Sequence, residues 1–414
     1  MDRRRVVITG LGCITALSES VDELFRALCE GRSGVSTIES FDAGLYPVHF
    51  GGEIKNFDVT KYIDRRDAKR MDRFSELAVA AAIQAMKDSG LDLAREDPYR
   101  IGSIVGTGIG GIKEIEDQHV RLIEKGPSKV SPFCVPRLMS NAASGNIAIQ
   151  FGLRGPSFSV SSACASGNHT IGEAFWNIAS DRSEAVVTGG SEAALTPIGL
   201  GSFCAARSLS TRNDNPTAAS RPFDRDRDGF VLAEGAGILI LEEYEHARKR
   251  GAKIYAELLG YAATDDGYHI TAPLPDGAGA AMAMKLAVAD AKINPEDIDY
   301  INAHGTSTEL NDIAESTAIK TVFGEYAYKV PISSTKSCLG HMLGATAAVE
   351  LIVAIKTINN SLIPPTINLD HQDERCDLKM DYVPWKAREA KVDIALSNSF
   401  GFGGHNACLV VGRV

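Results

Sequence analysis

The sequence predicts an α/β fold with buried strands, and three observations support this prediction. Apolar runs rich in β-branched residues alternate with longer stretches of helical periodicity along the 414 residues. No low-complexity linker divides the chain, and its 39 glycines indicate many tight turns and close backbone approaches. Alternation of this kind is typical of strand–helix units. The length suits about two or three domains, or one large duplicated fold.

Strands are predicted where aliphatic residues form a short apolar run. The first such run carries Val-Val-Ile, and the later ones carry Ile-Val, Val-Val, Ile-Leu-Ile or isolated isoleucines between small residues. In chain order the predicted strands are 5–9, 101–106, 185–188, 237–241, 298–302, 332–334, 394–397 and 407–411.

Helices are predicted where apolar residues recur at spacings of three and four. These stretches are longer than the strands, and most of them follow a predicted strand. In chain order the predicted helices are 21–30, 73–89, 172–180, 243–250, 277–291, 312–323 and 345–359.

Composition argues against several functional classes. The net charge of −10 argues against nucleic acid as a bulk partner. No run of about 18 apolar residues predicts a membrane span, and the apolar stretch after the N-terminal arginines is too short for a signal peptide. The eight cysteines show neither a CxxC pair nor zinc-ligand spacing, so we expect no metal and a reducing, cytoplasmic location.

Cys164 is the strongest candidate for a catalytic residue. It lies in Ser-Ser-Ala-Cys-Ala-Ser-Gly, after a β-type run at 157–160 and before a helical pattern. A cysteine at the start of a helix feels the positive end of the helix dipole, which stabilises a thiolate. Neighbouring backbone N–H groups can then bind an oxyanion. The alternative is a small buried cysteine without a chemical role.

Two histidines far along the chain lie in glycine-containing turns, as expected for cysteine–histidine catalysis. His304 follows a predicted strand, where α/β folds build their sites, although a turn histidine that caps a helix would look similar. Lys336 and His341 share one loop before the last predicted helix, and Lys336 is either a surface lysine or an inward-pointing one. The stretches 161–167 and 333–341 resemble each other weakly, which indicates a duplicated unit or a chance match.

A glycine-rich loop near the C-terminus is the candidate for a second oxyanion donor. The segment 399–406 reads Ser-Phe-Gly-Phe-Gly-Gly-His-Asn after a predicted strand. Glycines on both sides of Phe402 predict a flexible turn with free N–H groups, one of which would bind an oxyanion beside that of Cys164. The alternative is a glycine-rich hairpin or bulge.

Two other motifs do not carry the function that they suggest. The segment 106–111 matches GxGxxG, but no acidic residue ends a second strand about 20 residues later, so dinucleotide binding is not predicted. The segment 224–229 resembles the start of an EF-hand loop, but Gly235 occupies the twelfth position and arginines alternate with the aspartates. We interpret it as an ion-paired turn.

Together these motifs resemble the β-ketoacyl-acyl carrier protein synthases, and most of all the type II elongating condensing enzymes of fatty acid synthesis. The resemblance extends over nearly the whole chain, from 6–12 to 403–406. Further matching stretches are 221–224, 228–231, 234–237 and 310–312.

The resemblance implies a thiolase-like fold with two duplicated mixed-sheet halves in a five-layer αβαβα arrangement. It implies a homodimer, with the nucleophile in an N-terminal half at 1–250 and the histidines in a C-terminal half at 251–414. The implied reaction is a decarboxylative Claisen condensation of malonyl and acyl thioesters carried on the phosphopantetheine of acyl carrier protein, without a further cofactor or metal.

The resemblance also assigns roles to residues. Cys164 would accept the acyl chain, His304 and His341 would bind the malonyl thioester, and Lys336 would tune the histidines. Phe402 would be the gate residue, and its N–H would complete the oxyanion hole with that of Cys164. The remaining positions are supporting polar residues (Glu350, Asn406), acyl-pocket residues (Ile109, Cys134, Phe203, Leu343) and basic residues that receive the acidic carrier protein (Arg66, Lys69, Arg70, Arg207).

The chain departs from the family pattern at several positions. Glu309 replaces a common proline, Cys338 and Leu339 replace Met and Thr, and 165–168 varies the segment after the nucleophile. Cys134 replaces a bulky aromatic residue that often closes the acyl pocket across the dimer, so the chain length of the substrate stays open.

Three alternatives to fatty acid elongation stay open at this point. A specialised or polyketide ketosynthase would use the same chemistry on a different acyl group. A thiolase acting on coenzyme A thioesters would carry a second cysteine as base where this chain has His341. A chain-length-factor-like partner subunit would lack the nucleophile.

Overall fold

The computed structural model describes residues 3–414 and contains one ten-stranded sheet with helices on both sides and between its two halves. The strands are β1 Val6–Thr15, β2 Ser36–Thr37, β3 Phe50–Gly51, β4 Ile101–Gly106, β5 Ser157–Phe158, β6 Ala185–Glu192, β7 Gly235–Glu243, β8 Ala256–Asp265, β9 Tyr300–Asn302, β10 Ile332–Ser333, β11 Leu362–Ile363, β12 Arg388–Glu389, β13 Ile394–Gly401 and β14 His405–Gly412.

The helices fall on either side of these strands. They are α1 Val21–Cys29, α2 Arg65–Ala68, α3 Arg73–Ser89, α4 Ile112–Lys125, α5 Cys134–Leu138, α6 Ala142–Phe151, α7 Ser166–Ala179, α8 Pro197–Ala205, α9 Tyr244–Lys249, α10 Ala278–Asp290, α11 Glu309–Phe323, α12 Lys336–Leu339 and α13 Thr346–Asn360. No helix in the described chain is long and apolar enough to cross a membrane.

The strand order of the sheet repeats itself. It runs β10-β9-β13-β14-β8 in one half and β1-β7-β6-β4-β5 in the other, and the halves join where β1 pairs with β8. From the β1–β8 pair outwards, the two halves have equivalent strands: β1 corresponds to β8, β7 to β14, β6 to β13, β4 to β9 and β5 to β10. Each half is mixed, because β4 and β6 pair in parallel whereas β6 and β7 are antiparallel. The predicted duplication is therefore present.

Helices cover the two halves in three layers. Helix α3 packs on β1 and β7, and α10 packs on β8 and β14, so these helices lie outside the halves. Helices α7 and α13 contact each other and strands of both halves, and they form the central layer. Three of the four apolar clusters accordingly follow these layers, one central and two outer, and the fourth includes Cys164 and Leu343. This is the predicted thiolase-like, five-layer fold.

The duplication places the functional loops together. Cys164 follows β5, and Lys336 and His341 follow β10, the equivalent strand of the second half. His304 follows β9, and the glycine-rich loop 106–111 follows its equivalent, β4. Loops after equivalent strands converge at the centre of the molecule, which is why residues more than 100 positions apart share one cavity.

Several predicted elements differ from the observed ones in extent. Strand β1 continues six residues beyond the predicted end, through two glycines that allow close contact with α3: a side chain at Gly10 would meet the Ala85 carbonyl oxygen, and one at Gly12 the Ala81 carbonyl oxygen. The prediction missed the ten-residue strand β8, whose glycine and alanine residues weaken the aliphatic pattern. Helix α7 begins at Ser166 rather than at 172, because small residues fill its first turns.

Candidate active site

Cys164 lies at a strained turn directly before α7. The turn residue Ala163 has φ +50°, a conformation that is uncommon for residues other than glycine and is often found at functional sites. The Ser399 hydroxyl donates a hydrogen bond to the Cys164 carbonyl oxygen at 2.9 Å, which ties the turn to β13. Cys164 is buried and lines a cavity of about 760 Å³.

Two backbone N–H groups face the sulfur. Burial raises the pKa of the Cys164 thiol to about 12, whereas the Lys336 charge and the N–H groups of Phe402 and of Cys164 itself lower that pKa. Burial therefore opposes the thiolate form that the position before a helix favours, and the nearby charge and N–H groups act in its support. The same two N–H groups lie where an oxyanion hole requires its donors.

His304 and His341 adjoin the sulfur. Their rings are 5.5 Å apart between centroids and nearly perpendicular, and Sγ and one ring nitrogen of each histidine all lie within 4.8 Å of one another. Both residues are buried. In the described chain, Nδ1 of His304 and Nε2 of His341 have no hydrogen-bond partner. Buried ring nitrogens without a partner are available to a ligand in the cavity.

Both imidazoles are neutral at physiological pH. Burial and the Lys336 charge hold the pKa of each histidine well below the usual value, and His341 lowers that of His304 further. The Nδ1 atom of His341 lies 3.0 Å from the Thr346 hydroxyl. A cysteine and two histidines have the ligand types of a zinc site. The nearby Lys336 charge, however, opposes a cation at this position.

Lys336 is buried and forms a salt bridge with Glu350. Its Nζ lies 2.8 Å from Oε1 and 3.0 Å from Oε2 of that carboxylate. Burial raises the pKa of Glu350, although Lys336 pulls it down. Lys336 is therefore an inward-pointing lysine, and its charge acts on the histidines and the thiol from behind the cavity, whose lining it does not join.

Glu315 positions the His304 loop, and the sequence analysis missed it. Its carboxylate accepts the N–H of His304 at 2.8 Å, the N–H of Gly305 at 2.7 Å and the Asn398 side-chain amide at 3.1 Å. The side chain is buried on α11. An isolated glutamate in an ordinary helix gives no sign of this role in the sequence.

Glu192 holds the loop after β4 and was also missed. Its carboxylate accepts the Thr107 hydroxyl at 2.8 Å and the N–H groups of Gly108, Ile109 and Gly344 at 2.6, 3.2 and 3.1 Å. The amides of Gly108 and Ile109 would be phosphate-binding groups of the GxGxxG motif at 106–111. Because the Glu192 carboxylate already accepts these N–H groups, the loop does not offer them to a phosphate.

The Phe402 loop is hydrogen-bonded to the segment after β8. The N–H of Gly403 donates to the Ile270 carbonyl oxygen at 2.8 Å. The N–H of Asp266 donates to the Gly404 carbonyl oxygen at 2.9 Å. The Asn406 amide donates to the Asp266 carboxylate at 2.7 Å, so this predicted supporting residue also ties the two segments. Phe402 lines the cavity and is 36% exposed.

The predicted pocket residues divide into two groups. Ile109, Phe203 and Leu343 line the same cavity as Cys164. Cys134 does not line that cavity within the described chain; it begins α5 and is half-buried. The structure thus brings three of the four together.

The predicted basic residues also divide. Arg207 is exposed and lines the cavity mouth, with φ +53°. Arg66 lies on α2, and Lys69 and Arg70 follow it; all three are exposed and lie outside the cavity lining. The Arg70 guanidinium lies 5.8 Å from the centre of the Phe133 ring, which places it beside α5.

Comparisons with known proteins agree with this geometry. The family models for the N-terminal and C-terminal domains of beta-ketoacyl synthase match residues 3–247 and 255–370. The chain belongs to the β-ketoacyl synthase family. The predicted resemblance is thereby confirmed.

Curated relatives match over the full length. The chain is 51% identical over 409 residues to 3-oxoacyl-[acyl-carrier-protein] synthase 2 of Synechocystis sp., covering 99% of this chain and 98% of the relative. It is 49% identical over 415 residues to the protein of the same name from Vibrio harveyi, with 100% of both chains covered.

Solved structures match the fold closely. A beta-ketoacyl synthase from Burkholderia phymatum has a TM-score of 0.92 and 38% identity, covering 99% of this chain and 100% of the other. A type II PKS ketosynthase, solved with its acyl-carrier protein and bound to a hexaketide, has a TM-score of 0.93 and 36% identity over 100% of both chains. The fold prediction is confirmed.

Proposed function

We propose that this protein is a 3-oxoacyl-[acyl-carrier-protein] synthase that extends an acyl chain by two carbons. One observation carries the proposal: a thiol with two N–H groups facing its sulfur shares a cavity with two neutral histidines. Covalent acyl transfer needs the thiol and the two N–H groups, and stabilisation of an enolate needs the two neutral histidines.

The first half-reaction loads the acyl group. The Cys164 sulfur attacks the acyl thioester, and the N–H groups of Cys164 and Phe402 bind the oxyanion of the tetrahedral intermediate, each contributing roughly 100- to 1000-fold in rate. The phosphopantetheine sulfur leaves and takes up the proton that Sγ loses, so this step involves no net proton change. The acyl chain extends along the cavity wall formed by Ile109, Phe203 and Leu343.

The second half-reaction makes the carbon–carbon bond. Malonyl thioester enters, and its carbonyl oxygen receives hydrogen bonds from His304 and His341. Carbon dioxide leaves, the carbon–carbon electron pair forms an enolate, and this enolate attacks the acyl-cysteine. The Cys164 sulfur departs as a thiolate and takes up one proton from solvent, so the half-reaction consumes one proton for each carbon dioxide released. Loss of carbon dioxide drives the bond formation, so we propose that the reaction needs neither a metal nor a cofactor.

We propose acyl carrier protein as the partner that delivers both substrates. Arg207 at the cavity mouth, together with Arg66, Lys69 and Arg70, offers positive charge to an acidic carrier on a chain whose net charge is −10. Such charges chiefly speed association and are sensitive to salt.

We propose a homodimer through the surface of α4, α5, α6 and β5. Exposed apolar side chains there include Ile123, Val135 and Ile149, which are 72%, 59% and 81% exposed, and β5 is an uncovered end strand of the sheet. A patch of this kind is typical of a protein interface. Cys134 lies on the same surface, so in the dimer the Cys134 of each copy would lie closer to the cavity of the other copy. Ile149→Glu should convert a dimer into a monomer in light scattering.

The cellular location is part of the same proposal. All eight cysteines are free, which supports a reducing compartment such as the cytoplasm.

Intact-protein mass spectrometry tests the function. The protein is mixed with acyl carrier proteins that carry acyl groups of graded length. The wild type and Cys204→Ala, a control at a half-buried cysteine near the cavity, should gain one acyl group, whereas Cys164→Ala should gain none. Addition of malonyl-carrier should then yield a 3-ketoacyl product only with the first two proteins. Folded wild type that gains no acyl group from any carrier would contradict the proposal.

A polyketide ketosynthase is the second candidate, because the PKS ketosynthase named above shares the fold at a TM-score of 0.93. The same experiment separates the two functions. Loading by saturated fatty acyl carriers with a single extension supports fatty acid elongation, and repeated extension without reduction of the ketone supports the polyketide activity. A chain-length factor would gain no acyl group.

A further inference from the structure

His405 and Asp265 stand opposite each other beside the gate loop, which we define as residues 400–404. They form a cross-strand pair at the ends of β14 and β8, and Nδ1 of His405 lies 3.1 Å from Oδ2 of Asp265. The other carboxylate oxygen accepts the Gly267 N–H at 2.7 Å. One carboxylate therefore contacts both the strand that leaves the gate loop and the turn that follows β8.

The His405 ring also packs against the gate loop itself. A Cβ atom at Gly403 would come within 2.9 Å of His405 Nε2, and Gly403 has φ +91°. Only a residue without a side chain fits between that ring and the loop in this conformation. Because Gly403 and Gly404 are hydrogen-bonded to the segment after β8, movement of the gate loop must change the surroundings of His405.

Charged and titratable groups from two neighbouring elements face His405. From β8 and the segment after it, the carboxylates of Asp265 and Asp266 lie close to the start of β14. From α7, His169 faces it with ring centroids 6.4 Å apart. Burial and His405 lower the pKa of His169 to about 4, so His169 is neutral and does not repel a charged His405 at physiological pH.

The same histidine pair connects the gate loop to the nucleophile turn. His169 Nδ1 lies 2.6 Å from the Ser162 hydroxyl, and Ser162 is two residues before Cys164. The contacts run from Asp265 through His405 and His169 to the turn that carries the sulfur.

We propose that His405, paired with Asp265, is a positioning residue that holds the gate loop over Cys164, and that this tie is stronger when His405 is protonated. The proposal rests on the proposed function, in which Phe402 is the gate. His405 touches no reacting atom; it acts through the loop. Both partners are partly exposed, with 41% and 48% of their side chains accessible, so the expected effect is modest, about two- to five-fold.

Hydrogen exchange of the gate loop, followed by mass spectrometry on the full-length protein without substrate, tests the proposal. Wild type, His405→Asn, Asp265→Asn and the double variant are compared at about pH 5.5 and about pH 8, on either side of the ordinary pKa of histidine. His49→Asn, at an exposed histidine next to Tyr46, is the control.

At the lower pH, each single variant should exchange two- to five-fold faster than wild type within 400–404, and the double variant no faster than the singles. At the higher pH, and in the control, the difference should vanish. Equal exchange in all proteins, additive effects, or a difference that is the same at both pH values would overturn the proposal. Because no substrate is present, a failure of the proposed enzymatic function would not produce any of these results.

Discussion

Lys336 and Glu350 form a salt bridge that is removed from solvent, with 1% of each side chain exposed and Nζ 2.8 Å from Oε1. Helix α12 supplies the lysine and helix α13 the glutamate. The lysine charge lowers the pKa of His304, of His341 and of the Cys164 thiol. Burial is the larger cause of each pKa shift, and this one lysine charge acts on all three groups in the cavity.

Lys336→Met should lower stability and activity together. The variant leaves Glu350 buried without its partner, and breaking a buried pair in this way costs about 3–5 kcal/mol. It also raises the pKa of the Cys164 thiol, because the nearby positive charge is gone. Urea unfolding should show the loss of stability, and Cys164 should react more slowly with iodoacetamide at a given pH.

The double variant Lys336→Met, Glu350→Leu separates the two effects. It removes both charges and should regain most of the stability. Turnover should stay low, because the charge that tunes the cavity is still missing. A double variant with both stability and turnover restored would show that Lys336 has only a structural role.

His304→Ala and His341→Ala should impair condensation far more than loading. Each removes one hydrogen-bond donor to the enolate oxygen, which corresponds to roughly 100- to 1000-fold in rate. Single-turnover experiments with acylated enzyme and malonyl-carrier measure condensation, and mass spectrometry measures loading. If both variants lost loading as severely as condensation, the histidines would instead be transferring the thiol proton.

The protonation of the same histidines predicts a pH profile. Their pKa values lie well below the usual value, so the neutral, donating imidazoles persist as the pH falls from about 8 to about 6. Condensation by acylated wild type should therefore not decline through these groups in that range. In Lys336→Met both histidine pKa values rise, so the acidic decline should begin at a higher pH than in wild type.

The fold could be predicted from local patterns wherever an element carries a continuous apolar signal. The strand at 101–106 and the helix at 73–89 have the predicted bounds. Strand β8 was missed because Gly260, Ala262 and Ala263 interrupt its aliphatic pattern, and the need for a glycine at 260 comes from α10, which packs against it. This packing joins segments that are distant in the sequence, so the local residue pattern of β8 does not indicate it.

The candidate site shows the same division. Cys164, His304 and His341 stand in unusual local sequences of small residues and glycines, so their motifs could be recognised. Glu192 and Glu315 stand in ordinary strand and helix sequences. Their role arises from N–H groups on distant loops, which only the three-dimensional structure brings to them.

Glu309→Pro should be tolerated. Glu309 is the first residue of α11, a position where proline is favoured because the N–H there has no partner within the helix. Its carboxylate pairs with Arg375, but both side chains are about half exposed, and Arg375 keeps Asp373 as a partner. Urea unfolding should differ from wild type by less than about 1 kcal/mol. A much larger loss would show that the Glu309 pair holds the loop that carries His304.

Glu315→Gln and Glu192→Gln form a matched pair with opposite functional effects. Each replaces a buried carboxylate that accepts at least three hydrogen bonds by an amide that has one acceptor oxygen, so each should destabilise the fold by about 1–3 kcal/mol. The first loosens the loop that carries His304 and should slow malonyl decarboxylation. The second loosens the loop that carries Ile109 and should change which acyl lengths load onto Cys164.

Measuring both activities in both variants decides whether the two carboxylates act locally. The expected result is a crossed one: slower decarboxylation with an unchanged loading profile for Glu315→Gln, and the reverse for Glu192→Gln. Because the chemical change and the burial are the same, a general loss of stability would lower both activities in both variants. A loss of both activities in both variants would mean that the two loops are held as one unit. Glu315 would then not control decarboxylation separately, and Glu192 would not control acyl loading separately.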